Sequence, residues 1–144
     1  MTVFFVEKVS FCFSRQPVSG RGSLLKKVAS EVLGFELSQC CSAGYEMDGV
    51  NVYHQIETAV RGKEIICTDS LSAEDLDDFK DCQVTRKVMS LANENAVLNP
   101  CPPFYRGEEV SADAIESDYF VGYAFKKNLL VVQQAVMVWC MNNR

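Results

Sequence analysis

The stretch Tyr119-Phe120-Val121-Gly122-Tyr123-Ala124-Phe125, then Lys126-Lys127-Asn128, then Leu129-Leu130-Val131-Val132-Gln133-Gln134-Ala135-Val136-Met137-Val138-Trp139-Cys140-Met141 decides what kind of sheet this chain builds. Tyr119, Val121, Tyr123 and Phe125 alternate as the residues of a half-buried strand do, Lys126-Lys127-Asn128 can turn the chain, and the following run is rich in β-branched valine. A terminal antiparallel hairpin is the preferred reading. A final buried helix is its rival, because Leu129, Val132, Val136 and Trp139 also fit a 3.6-residue period.

Working back towards the amino terminus, residues 2–13 read as a strand, with Val9, Phe11 and Phe13 alternating. A loop rich in Pro, Gly and Ser follows, and Ser23 caps a helix to about Leu33 whose stripe is Leu24, Leu25, Val28 and Val32, with Gly34 at its end. Phe35 to Cys41 suits a short strand. Asp48-Gly49 fits either a hairpin turn or the start of a helix over residues 50–61; the helix is preferred, with Val52, Ile56, Ala59 and Val60 inward. Lys63 to Thr68 reads as a buried strand around Ile65-Ile66-Cys67. Helices are expected over Ala73 to Asp81 and Val84 to Leu98, a Pro-rich loop over Asn99 to Val110, and a short turn capped by Ser111. The sum is an α+β fold: a single domain over residues 1–144, with a mixed or antiparallel sheet of about 4–5 strands packed against 3–4 helices.

The 144 residues suit one domain, and 48% hydrophobic residues suffice for a real core. Glu7 and Lys8 interrupt the apolar opening before a signal segment can form, and no apolar run reaches the ~20 residues of a membrane span. The seven cysteines are odd in number, and several sit in apolar surroundings such as Ile65-Ile66-Cys67; that pattern points to a cytoplasmic protein with mostly buried thiols.

Residues 1–66 balance seven basic against seven acidic side chains, whereas residues 67–144 hold seven against twelve, the source of the net charge of −5. The excess lies in Asp69 to Asp81 and Glu108 to Asp118, a field that repels a phosphate backbone, so no nucleic-acid partner is expected. Dense carboxylates steer association with cationic proteins. The preferred function is accordingly a non-enzymatic binding protein engaging a basic protein partner, in the manner of an immunity or inhibitor protein against a toxin or nuclease. Its surface would comprise Asp75, Asp77, Asp78 and Asp81 together with Phe104, Tyr105, Arg106, Glu108 and Glu109 on the loop between the acidic stretches. Tyr and Arg are favoured interface anchors.

The alternative is a small anion- or nucleotide-binding enzyme. Gly20, Arg21, Gly22 and Ser23 open a helix directly after the first strand, where free N–H groups and the helix dipole favour an anion. The spacing is neither that of a P-loop nor that of a dinucleotide fingerprint. Chemistry there would draw on a cysteine paired with His54, the only histidine, oriented by Glu57. No Cys-x-x-Cys and no calcium-loop order of ligands occurs, so no metal and no cofactor is expected.

Overall fold

The computed structural model describes residues 8–12, 21–68 and 77–142. Five strands form one sheet: β1 (Lys8–Cys12), β2 (Glu36–Cys40), β3 (Asn51–Tyr53), β4 (Ile65–Thr68) and β5 (Val97–Pro100). Their order is β3-β2-β1-β4-β5, and every neighbouring pair is parallel. The fold is therefore α/β, and the expected mixed or antiparallel sheet is corrected. Parallel neighbours cannot be joined by tight turns, so the segments between strands run back across the sheet. Short apolar runs such as Ile65-Ile66-Cys67 mark strands of such a sheet, because their side chains are covered on both faces.

The terminal hairpin is also corrected. Lys126 and Lys127 do not turn the chain; they stand in continuous helical backbone, a 3₁₀ turn over Ala124–Lys126 leading into a helix, Lys127–Asn142. No Gly or Pro interrupts that run, and its apolar residues satisfy a helical period as well as a strand's. The alternation before it survives only as one parallel bridge, Leu98 to Phe120.

Other expectations hold locally. Helix α1 (Arg21–Leu33) ends at Gly34, whose φ of 73° is the left-handed conformation a helix C-terminus uses. The helix expected over residues 50–61 resolves into a turn at Asp48-Gly49, the strand β3, and the one-turn helix α2 (Ile56–Ala59). Of the residues expected to face inward, Ile56, Ala59 and Val60 are buried and Val52 is half-buried. At Gly49, φ is 77° and an added Cβ would lie 2.6 Å from Lys27 Nζ, which donates to the Asp48 carbonyl oxygen.

The helix expected over Ala73 to Asp81 lies mostly outside the described residues; its end is a turn leading to a 3₁₀ segment, Lys80–Cys82. The long helix expected from Val84 shrinks to one turn, α3 (Arg86–Met89), where Thr85 Oγ1 accepts from Val88 N at 3.1 Å. The chain then becomes β5. That strand ends at Pro100 on an outer position of the sheet, where a residue without an N–H is tolerated. Ser111 does cap a turn, α4 (Ala112–Ile115), accepting from Ala114 N. The terminal helix is α5. The core gathers Ile66 and Leu98 from the sheet with Val60, Phe79, Met89 and Val110 from the layers around it. No helix of the described residues is long and apolar enough to cross a membrane.

Candidate functional site at the carboxyl edge of the sheet

From β1 the chain moves outward one way, to β2 and β3, and then returns to build β4 and β5 on the other side. The direction of growth therefore switches between β1 and β4, and the carboxyl ends of the strands at such a switch point are where open parallel sheets bind ligands. The strand ends along that edge are Cys12, Cys40, Tyr53, Thr68 and Pro100.

Beside β4, Thr68 is fully buried and its hydroxyl has no hydrogen-bond partner among the described residues. Its carbonyl oxygen accepts from Cys101 N at 3.0 Å, so the first residue past β5 is held directly against the end of β4. Cys101 is exposed. The loop after it contains a cis Pro102–Pro103 peptide and is braced from several sides. Phe104 packs edge-on to Phe120 at 6.0 Å, and the buried Glu109 accepts from Tyr105 N through Oε2 at 2.9 Å. Gln83 Nε2 donates to the carbonyl oxygens of Gly107 and Glu108, at 2.6 and 2.9 Å.

Beside β2 lies a cluster of thiols. Cys40, Cys41 and Cys82 are buried, with the sulfurs of Cys40 and Cys82 4.0 Å apart. Burial, reinforced by the charge of Glu46, pushes the Cys41 thiol up to about 11. The Cys82 thiol is also held protonated, first by its hydrogen bond with Cys40 and then by burial. These are poor nucleophiles near neutrality. His54 Nδ1 lies 2.8 Å from the Cys41 carbonyl oxygen, and its Nε2 lies 3.8 Å from Glu46 Oε1. The imidazole thus binds backbone and faces Glu46, whereas the alternative enzyme reading needed it beside a cysteine and oriented by Glu57. Buried Gln39 shapes the same loop, donating to the Tyr45 carbonyl oxygen and accepting from Met47 N. No group of three or more His, Cys, Asp or Glu among the described residues can hold a metal ion.

The surface expected to meet a basic partner is scattered. Asp75 lies outside the described residues. Asp77, Asp78 and Asp81 are exposed, and Asp77 is tied to Lys80 at 2.6 Å, which holds its carboxyl below the usual range. Asp78 accepts from Tyr45 Oη at 3.3 Å. Phe104 is half-buried, Tyr105 and Arg106 are exposed, and Arg106 Nη1 stands 3.7 Å from Glu116 Oε1. Glu108 is half-buried, and Glu109 is turned inward, into the loop's own hydrogen bonds. Of the alternative anion loop, Gly20 lies outside the described residues, while Arg21, Gly22 and Ser23 form the first turn of α1. By connectivity that turn follows β1, at the point where the sheet reverses its direction of growth.

Residues 28–140 match the model of the aspartate/ornithine carbamoyltransferase Asp/Orn-binding domain. The chain belongs to this family. It is 33% identical over 126 residues to the ornithine carbamoyltransferase of Methylococcus capsulatus, covering 76% of this chain and 42% of that protein. The ornithine carbamoyltransferase of Methanothermobacter thermautotrophicus is 30% identical over 135 residues, covering 77% of this chain and 45% of that one. Among solved structures, that of the Campylobacter jejuni anabolic enzyme superposes with a TM-score of 0.81 at 23% identity, over 97% of this chain and 53% of that one. The Burkholderia thailandensis enzyme gives 0.76 at 26% identity, over 91% and 46%. The chain thus spans less than half the length of the curated relatives it matches.

Membership of an Asp/Orn-binding-domain family overturns the reading as a non-enzymatic immunity or inhibitor protein. Local charge by itself marks no docking surface, because the sheet decides which distant segments meet. In sequence the acidic stretch begins one residue past Thr68, the last residue of β4. Thr68 and Cys101 were not singled out from sequence. The available signal was Val97-Leu98-Asn99-Pro100, a short apolar run stopped by Pro, with a cysteine directly after it.

Proposed function

We propose that this chain is the amino-acid-binding portion of a carbamoyltransferase and that it receives an ornithine-class amino acid at the carboxyl edge of its sheet. One observation carries this reading: the match to an Asp/Orn-binding-domain family spans residues 28–140, which include β2 to β5, four of the five strands of the sheet. Carbamoyl transfer moves the carbamoyl group from its donor to an amine nitrogen: the C–N bond forms as the nitrogen gives up a proton, and the bond from the carbamoyl carbon to the donor's leaving group breaks, that group departing with the electron pair. A binding domain serves that step by holding the amine in place and keeping its direction of approach fixed.

The flanking groups suit a zwitterion with a second amine. The first turn of α1 offers N–H groups to a carboxylate, and Arg21 adds a positive charge in sequence. In sequence, Asp69 follows directly on the last residue of β4 and opens the acidic stretch to Asp81, a local charge that favours a cationic side chain over that of aspartate. Cys101 sits between the end of β4 and the braced loop, where a bound ligand would shield it.

The test is a thermal-shift titration of the 144-residue chain with L-ornithine, L-aspartate and L-leucine. Ornithine is expected to stabilise by about 2.7 kcal/mol at a hundred times its dissociation constant. It should also slow alkylation of Cys101. If ornithine neither raises the melting temperature nor protects Cys101, the carboxyl edge is not an amino-acid site.

A further inference from the structure

Cys40, Cys41 and Cys82 meet at one place, although Cys82 lies 42 residues along the chain from Cys40. Cys40 ends β2, an inner strand paired with β1 on one side and β3 on the other, so its backbone is fixed. Cys82 ends the 3₁₀ segment Lys80–Cys82, and its sulfur lies 4.0 Å from that of Cys40, with both side chains buried. The residues just before that segment are clamped onto the loop after β2. Ser42 Oγ donates to the Asp78 carbonyl oxygen, Tyr45 Oη donates to Asp78 Oδ2 at 3.3 Å, and the Tyr45 ring meets Phe79 edge-on at 5.0 Å. Two thiols from distant parts of the chain are thus held face to face, and an approach of about 2 Å brings their sulfurs to bonding distance.

On its other side Cys82 leads straight into the brace of the loop after Cys101. Gln83 Nε2 donates to the carbonyl oxygens of Gly107 and Glu108, at 2.6 and 2.9 Å, and Val84 N donates to that of Glu109 at 3.0 Å. With Cys40 held in the sheet, Cys82 is the partner that moves, and Gln83 moves with it. A displacement of about 1 Å takes such hydrogen bonds past useful length.

We propose that Cys40 and Cys82 form a reversible disulfide and that this bond releases the loop after Cys101, so that oxidation weakens ligand binding at the carboxyl edge. The last step rests on the amino-acid-binding reading above. The oxidant is hydrogen peroxide, small and uncharged. One sulfur attacks the peroxide and breaks its O–O bond, becoming a sulfenic acid as water leaves. The second thiol then attacks that sulfur, the S–S bond forms, and a second water departs. Two thiols and one peroxide give one disulfide and two waters, the sulfurs together losing two electrons. A dithiol restores the pair by exchange. Cys82 is held protonated by its hydrogen bond with Cys40 and by burial, so the reaction quickens as pH rises.

The experiment treats the full 144-residue chain with hydrogen peroxide, alkylates the remaining thiols in urea and digests with trypsin. The expected product is peptide 28–61, which carries Cys40 and Cys41, joined to peptide 81–86, which carries Cys82, and parted by dithiothreitol. The link should persist in C41A and vanish in C40A and in C82A. No link in the unmodified sequence, or one that survives C40A, overturns the proposal. Oxidation should also speed hydrogen exchange at the Tyr105 amide severalfold, with no such change in C82A; unchanged exchange in the cross-linked chain overturns the coupling to the loop. Oxidised chain should bind L-ornithine about fivefold more weakly than C82A treated in the same way, the equivalent of about one hydrogen bond. Equal affinities count against the proposal. Failure of the reduced chain to bind ornithine at all sinks the amino-acid reading alone, because the cross-link and the exchange rate at Tyr105 are read without ligand.

Discussion

At its amino end the sheet is stitched shut, and at its carboxyl end it is left open. The first residue of β2, Glu36, receives the Lys63 ammonium at 2.7 Å, and Lys63 is almost wholly buried. Lys63's carbonyl oxygen accepts from Asn93 N and Glu64's from Val97 N, so β2, β4 and β5 all begin from interlocked segments. The opposite end holds an exposed cysteine, a fully buried hydroxyl lacking a partner among the described residues, and loops braced by their own side chains. Identical strands serve both ends. What differs is that one end ties its polar groups to each other, whereas the other holds, among the described residues, one buried hydroxyl without a partner.

The contrast can be broken most forcefully at the closed end. Glu36→Gln leaves the Lys63 ammonium buried without its counter-ion, for an expected loss of about 2–3 kcal/mol. That is below the usual 3–5 for a broken buried pair, because Glu36 itself is 39% exposed. Lys63→Met should cost far less, since an apolar side chain of similar length fills the same space. Urea unfolding of both variants compares them, and equal losses would mean that the pair's charge is irrelevant.

At the open end, Glu109→Ala removes the acceptor of Tyr105 N and should cost about 1–2 kcal/mol. Its sharper signature is faster hydrogen exchange at Tyr105, with ornithine binding weakened because the loop after Cys101 loses its brace. Unchanged exchange at that amide would show that the brace is dispensable.

The thiol cluster gives a pH dependence. The Cys41 thiol is raised from 9.0 to about 11, so the native state holds a proton that the unfolded chain has released. Its contribution to stability is complete below pH 9 and is lost as pH climbs from about 9 to about 11. Urea midpoints measured across that window should fall, and the fall should shrink in Cys41→Ala.

The smallest effect on stability is expected for Cys101→Ser, within about 0.5 kcal/mol for an exposed position. Mild alkylation of the native protein should label Cys101 and Cys140 first and reach Cys40, Cys41 and Cys82 only on unfolding. Early labelling of Cys82 would place the cluster in the open part of the molecule.

Much of the local structure was legible in the residues. Gly34 closes α1, Ser111 caps α4, and Ile65-Ile66-Cys67 lies in a buried strand, because caps and short apolar runs act over a few neighbours. The inward residues Ile56, Ala59 and Val60 were legible too, even where the helix extents were not. β5 was hidden because Leu98 keeps the helical spacing that starts at Val84. Only its pairing with β4 makes the stretch a strand.

The sequence by itself determined the composition of the core, the caps, the position of the acidic stretches and the charge-free run that becomes α5. Strand direction belonged to the tertiary structure alone, because parallel and antiparallel neighbours use the same residues and differ only in which distant segments meet. That direction brings the ends of β1, β4 and β5 to one edge and sets Cys101 against Thr68. The helical state of the final run was likewise settled by backbone hydrogen bonding over sixteen residues, where side-chain period left helix and strand evenly matched.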